Sequence, residues 1–437
     1  MAQFRKDTHQ YLNDGKTIFE VVMLSDQYGN LVGPANPSGV AIDAFGRART
    51  SMPFTLFDSL HRYEDNGQWV TSNTAGSTYG HDTNAGLIEL TVDTTADAEI
   101  IRETKKVFSY QPGKSLHNLN TFVFNPAKAN LRQRVGYFGA QNGIYFELDG
   151  STLSFVERSY VTGSIIETRV AQSSWNVDKL DGTGPSLLTL DISKAQILWM
   201  DVEWLGLGTV RCGFTIDGQL IHCHSFHHAN LITSTYITTA SLPIRYEIKN
   251  TGVTTSNSTM KQVCSTVISE GGYELRGTQQ AVASDVLSGK SLATAGTFYP
   301  VIALRLKVTP NRLDAIAVLT ALSLLGTGNG VNYNWRVVQG CTVSGGTWTS
   351  AGDNSSVEYS LDSTAVDQTG ARTLASGFLN SSNQGSPALN VLKEALFAFQ
   401  LERNGLTSTP YTLALLVTSD TDTKTVFASM DWEEVSR

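Results

Sequence analysis

Apolar residues return along this chain in short runs with polar neighbours between them, and the spacing predicts strands almost throughout. The clearest stretch is 197–250, where Val210, Cys212, Phe214 and Ile216 alternate with Thr209, Arg211, Gly213 and Thr215. Asp217-Gly218 follows, a dipeptide suited to the two positive-φ positions of a type I′ hairpin turn. Such a turn sets Ile216 against Gln219, Phe214 against Ile221 and Cys212 against Cys223, so that one face of the hairpin is apolar from tip to base.

The same grammar extends in both directions. Between Gly86 and Val161 the runs LIELTV, IIRETKKVFSY, LHNLNTFVF, RQRVGYFG, GIYFEL and LSFVERSYV are separated by Gln111-Pro112-Gly113-Lys114, Asn125-Pro126, Asn142-Gly143 and Asp149-Gly150, all turn chemistry. Short antiparallel strands at that pitch imply a sandwich or barrel, of which the jelly roll is the common large form. The small, polar stretch 271–297 places a domain boundary near Gln280. Beyond it Ile302, Leu304, Leu306 and Val308 alternate with polar or small residues, and further strands are expected at 333–338, 398–401, 412–417 and 426–432. The apolar runs Asp314 to Leu325 and Ala388 to Phe399 fit either a helix or a buried strand. Before Val40, Ile18 to Leu24 is a strand-forming run with no evident hairpin partner, which predicts an arm covered by its own sandwich or by a neighbouring subunit. The aromatics from Phe45 to Trp69 are spaced irregularly, as in a segment crossing a sheet edge. The expected fold is all-β: an extended N-terminal arm at 1–39, a jelly-roll-like β-sandwich at 40–279 and a second β-sandwich at 280–437.

Composition narrows the function classes. A chain of 437 residues suits two or three domains with sizeable cores, and charged residues make up only 16% of it, which disfavours helical bundles. The net charge of −8, without a Lys/Arg stripe, argues against nucleic acid as a partner. No run reaches the length of a membrane span and the first residues lack a signal-peptide core, so folding in a cytoplasm is expected. Four cysteines are too few for a disulfide framework; Cys212 and Cys223 could bridge in the hairpin register above, but a reducing compartment favours buried thiols.

Two constellations invite chemistry. Asp201 and Glu203, in WMDVEW, share a strand face roughly 7 Å apart, and paired carboxylates on a sandwich face can cleave glycosides. The laminarinase-type pattern wants a further Glu two residues before the Asp, and that position is Trp199. The alternative is a solvated strand face beside Trp199 and Trp204. His222, His224, His227 and His228 form a histidine cluster; the hairpin register puts His222 and His224 on the face of Arg211, but the spacing matches no standard zinc pattern and Arg211 is the wrong charge for a cation site. The Gly326 to Gly330 run lacks a P-loop's Lys-Ser/Thr tail. No catalytic, cofactor-binding or metal-ligating residue is therefore assigned, and no enzyme is expected.

Several runs taken together carry a resemblance: Gly46 to Gly67, Glu103 to Phe124, Leu131 to Ser159, Val170 to Ser186 and Trp204 to Ile248. They resemble structural, tail-associated proteins of tailed bacteriophages, especially marine and cyanobacterial ones, over about residues 40 to 250. That resemblance implies a virion protein of the tail, baseplate or fibre apparatus, made in the host cytoplasm, with itself (most simply as a trimer) and other virion proteins as partners. A capsid decoration or head-fibre protein is the nearest alternative. A glycan-binding or glycan-cleaving β-sandwich, touching a host surface glycan, is a third reading, favoured if the aromatics stand exposed in a groove.

Overall fold

The structure, a computed structural model, describes residues 52–382 and 398–436, and before them short strands at 10–13, 18–21, 24–25 and 31–32. The chain divides into two compact units, Met1–Met52 and Pro53–Arg437. In the first, Ile18–Val21 pairs antiparallel with Gln10–Asn13, and Leu24–Ser25 with Leu31–Val32. The expectation that the run from Ile18 to Leu24 lacks a partner in sequence is thereby corrected. Its partner strand is four residues long and half polar, too short to show a period. The usable signal is Asp14-Gly15 between the two, a tight-turn dipeptide.

The second unit is all-β and antiparallel; its one helical element among the described residues is the single 3-10 turn Gln172–Ser174. Two sheets make the first sandwich. The front sheet runs Gln219–Phe226, Val210–Ile216, Gln196–Val202, Leu116–Val123, Ser258–Ser269, Leu87–Val92, Ser77–Asp82, with Phe54–Leu60 also pairing onto Ser258–Ser269. The back sheet runs Ile166–Ala171, Thr152–Ser159, Gly143–Asp149, Leu131–Phe138, Ile244–Asn250, Glu99–Thr104, Trp69–Asn73. The chain crosses between sheets repeatedly, front at Leu87–Val92, back at Glu99–Thr104, front at Leu116–Val123 and back at Leu131–Phe138, a path of the jelly-roll kind. All six runs read between Gly86 and Val161 fall on strands, although IIRETKKVFSY leaves its strand after Thr104. Of the irregularly spaced aromatics, Phe54 and Phe57 lie on the strand Phe54–Leu60 and Trp69 opens Trp69–Asn73, with Phe57 and Trp69 edge to face in the core at 6.0 Å; Tyr63 lies between the strands and Phe45 outside the described residues. A bulge where Phe54–Leu60 meets Val267 and Ile268 breaks the period that would have revealed the first strand.

Core-facing positions alternate as period-2 pairing requires. From the front sheet Leu198, Met200, Val202 and Phe214 meet Tyr137, Phe146 and Phe155 of the back sheet. Phe146 sits edge-on to Phe214 at 5.1 Å, and Trp175, from the 3-10 turn's exit, lies 4.6 Å from Phe155. Side chains on the other face of each sheet point away from this core.

The second sandwich has its own core, from Val282 to Trp432. Its first strand, Thr278–Ala283, already places Gln280 opposite Trp432, so the link between the sandwiches is the stretch 270–277. The ambiguous run after Asp314 is the strand Ile316–Gly326, paired along Lys424–Ser436. Most of Ala388 to Phe399 lies outside the described residues. The strand expected at 398–401 is instead a single bridge, Gln400 to Val318. Gln400 turns its side chain to the first sandwich, donating to the Val107 carbonyl at 2.9 Å. Val107 also packs with Ile316 and Val318, and Arg403 reaches Glu103 at 2.6 Å, so the two sandwiches meet through a buried apolar contact beside a buried ion pair.

Candidate functional site

The outward face of the front sheet holds Trp199, Asp201, Arg211 and His222 of the residues singled out in the sequence. On Gln196–Val202 the alternation that sends Leu198, Met200 and Val202 into the core turns Trp199 and Asp201 the other way. Register places His117 and Arg211 on either side of Asp201, and Leu119 and Gly213 on either side of Trp199. Gly213 is required there: a Cβ would stand 2.7 Å from the Trp199 ring and 2.0 Å from the Ile221 carbonyl. The indole lies over that glycine, donates to the Phe214 carbonyl at 3.2 Å, and is flanked by His117 at 6.0 Å and His222 at 5.8 Å. Only 5% of Trp199 is exposed. Trp204 is half-buried, donating to the Ile237 carbonyl and edge-on to Tyr110. Neither tryptophan therefore offers the open stacking surface that a sugar ring uses.

Asp201 is 5% exposed and Arg211 donates to its Oδ2, while its Oδ1 has no hydrogen-bond partner. Glu203 lies one residue past the strand's end, at the start of a tight turn in which Leu205 and Gly206 take positive φ, and its carboxylate accepts from the Thr209 amide at 3.1 Å. The expected shared strand face for Asp201 and Glu203 is thus replaced by a strand position and a turn position, both bordering one pocket of about 420 Å³. Tyr110, Lys114, Ser115, Arg211 and Glu270 complete its polar wall.

The hairpin turn forms as read, with φ of 51° at Asp217 and 77° at Gly218, and Ile216 faces Gln219 and Phe214 faces Ile221. The third expected pair fails. A bulge between Cys212 and Gly213 sets Cys212 opposite His224 and leaves Cys223 as the extra residue. Cys212 and Cys223 are both unbridged and both in the core, where burial pushes their thiol pKa values up. The bulge also separates the histidines that were expected to share a face. His222 stays outside against Trp199, its Nε2 within 2.9 Å of Ser225 Oγ, whereas His224 turns inward between Phe155 and Phe226. Burial first, then the neighbouring His222 and His227, hold the His224 pKa down at about 4. His228 faces Glu157, whose carboxylate lies 2.7 Å from its Nε2; burial opposes its charge, but Glu157 and the Gly208 carbonyl outweigh that and raise its pKa. His227 stands apart, beside Thr209. The four histidines thus have four different environments and do not converge.

Sequence reasoning missed His117 and Glu270. His117 sits in an ordinary strand run and Glu270 opens the linker; only register brings them to Asp201. Among the described residues, His117, Asp201 and Glu270 are the one group of three whose potential ligand atoms all lie within 4.8 Å of one another.

No family model matches this chain, and no curated protein matches it. Solved structures similar to it include a Bacteroides ovatus GH16 protein of a mixed-linkage glucan locus, bound to product (11% identity, 48% of this chain and 99% of that one, TM-score 0.33). A carbohydrate esterase of the Shiga toxin-encoding bacteriophage phi24B is another (12% identity, 50% and 100%, TM-score 0.30). Peanut lectin is a third (10% identity, 50% and 98%, TM-score 0.30).

Proposed function

We propose that this chain is a structural protein of a tailed-phage virion, of the tail, baseplate or fibre apparatus, that works by self-assembly and docking and catalyses no reaction. The observation that carries the non-catalytic part is the outward face at 199–203. Glycoside cleavage needs two carboxylates facing one bond. Here Trp199 is walled in where a second acid would stand, Asp201 is clamped by Arg211, and Glu203 is tied to its own turn. The junction between the sandwiches supports a building-block role, because the ion pair of Arg403 with Glu103 and the packing of Val107 resist hinge motion. Exposed apolar side chains such as Leu287 (92%) and Phe378 (78%) suit contacts with other copies or other virion proteins. The test is light scattering of the purified chain together with immunogold labelling of intact particles from a producing culture. A defined oligomer and labelled particles are expected; a monomer absent from particles defeats the reading.

A glycan-binding surface is the second reading, favoured by the polar wall of the 420 Å³ pocket, where Arg211, Glu203 and Ser115 present hydrogen-bonding groups to one volume. On a glycan array, binding that Arg211→Ala abolishes would support it. Binding untouched by that change would remove it.

A further inference from the structure

The residues that the virion reading leaves idle are those under the same pocket. We propose that His117, Asp201 and Glu270 bind a divalent transition-metal ion of the Zn²⁺ or Mn²⁺ class, with an open coordination position facing the pocket.

Three chain segments deliver the donors. His117 stands directly opposite Asp201 in the strand pair, and Glu270 follows Ser269, which stands opposite Leu116. The Glu270 amide donates to the Ser115 carbonyl at 2.9 Å, which anchors that backbone at the pocket's edge. One donor atom of each side chain lies within 4.8 Å of the other two. An ion held at about 2.0–2.2 Å needs its donors roughly 3–3.5 Å apart, so binding requires the exposed Glu270 carboxylate, which accepts from Ser115 Oγ at 3.3 Å, to draw in towards Asp201. The His117 ring already has a fixed orientation, stacked at 29° on Trp199.

The independent observation is Asp201 itself. It is more than nine-tenths buried, Arg211 takes only its Oδ2, and Oδ1 is left without a partner. A buried carboxylate oxygen with no donor is costly, and such groups call for an explanation. A cation between Oδ1, His117 and Glu270 supplies one. Arg211 sets the limit: its charge offsets one of the two carboxylates, so binding should be weaker than at a structural zinc site. The mixed donor set selects the ion class: the imidazole suits Zn²⁺ and disfavours Ca²⁺ and Mg²⁺, which take oxygen, while the two carboxylates also suit Mn²⁺.

The test uses the full chain, purified without a histidine tag and stripped with chelator. Zn²⁺, Mn²⁺ and Ca²⁺ are titrated separately, by calorimetry. Wild type should bind one equivalent of Zn²⁺ or Mn²⁺. His117→Ala, Asp201→Asn and Glu270→Gln should each weaken it at least tenfold, while His222→Ala leaves it unchanged. Glu270→Gln changes an exposed side chain and keeps the test decisive if a buried-site variant does not fold. No saturable binding in wild type, a preference for Ca²⁺, binding indifferent to His117→Ala and Glu270→Gln, or loss in His222→Ala would each overturn the site.

Discussion

An Arg134→Ala variant is expected to lose about 3–5 kcal/mol of stability near neutral pH, the usual cost of removing one partner from a buried ion network. Arg134 lies on the outward face of the back sheet with 5% of its side chain exposed. Its guanidinium meets Glu147 at 2.7 Å, Glu247 at 3.3 Å and Glu167 at 3.6 Å, and covers the Tyr145 ring at 5.0 Å. Those acids are shared with Arg169, Arg158 and Arg245, so opposite charges alternate across the sheet from Glu167 to Glu103. With Arg134 gone, Glu147 and Glu247 keep one cation each but stay buried.

Acid pH supplies a second signature of the same variant. Burial pushes the Glu167 carboxyl up, yet the Tyr145 hydroxyl and the charges of Arg134 and Arg158 overcome it and hold the pKa at about 2. Glu247 is lowered too, by Arg245 and Arg134 against its burial. An unfolded Glu titrates near 4.5, so the unfolded chain takes protons first as pH falls. The stability these acids contribute is therefore complete above about pH 4.5 and is lost towards pH 2. Arg134→Ala weakens the pull on both, so its stability should depend less on pH across that window and the gap to wild type should narrow. Urea unfolding at pH 7 and pH 3 measures both effects. A loss under about 1 kcal/mol at pH 7, the size of an exposed pair, would mean that the network contributes little.

These charges show what a single sequence yields and what it withholds. Turn dipeptides act locally, so Asp217-Gly218 located its hairpin, and Phe214 and Ile221 followed from it. Apolar alternation likewise placed Gly143–Asp149, whose Ile144, Phe146 and Leu148 face the core, whereas Leu116–Val123 turns Asn118 and Asn120 inward and Leu119 outward, a face its own residues do not announce. Arg134, Glu147, Arg245 and Glu247 also alternate with apolar neighbours, and within one strand they read as a solvated outer face. Their burial comes from standing opposite one another, which is a property of register between strands distant in sequence. The same limit hid the approach of His117 and Glu270 to Asp201. A bulge is invisible for a related reason: the extra residue Cys223 satisfies the strand pattern as well as its neighbours do, and only the Trp199 ring over Gly213 shows why that stretch of ladder is irregular.

Glu103→Ala should cost a similar 3–5 kcal/mol, but the loss should fall on the union of the two sandwiches. Glu103 is 3% exposed by its side chain and joins Arg403 of the second sandwich at 2.6 Å to Arg245 of the first at 3.3 Å. Gly405 allows this approach, since a Cβ there would stand 2.2 Å from the Glu103 carboxylate. After truncation Arg245 retains Glu247 at 3.2 Å, whereas Arg403, 4% exposed, retains the Thr104 carbonyl at 3.1 Å and one more distant carboxylate, Asp314, at 4.0 Å. That leaves a guanidinium without a close counter-charge at the wall of a pocket of about 310 Å³ lined by both sandwiches, and loosening their union there hydrates it further. The remaining links include Gln400 to Val107, the Arg403 amide to the Lys105 carbonyl, Lys105 over the Tyr411 ring at 5.5 Å and the small apolar contact of Val107, and none of these is an ion pair. Scanning calorimetry should therefore show the wild-type transition broaden or split in Glu103→Ala, with cleavage by a protease appearing in the stretch 270–277. A charge-reversed pair, Glu103→Arg with Arg403→Glu, should regain less than half of the loss, because Arg245 would then face a like charge. A single transition, shifted by less than about 1 kcal/mol and without new cleavage, would show that the sandwiches are coupled by some other contact and that the ion pair is incidental to their union.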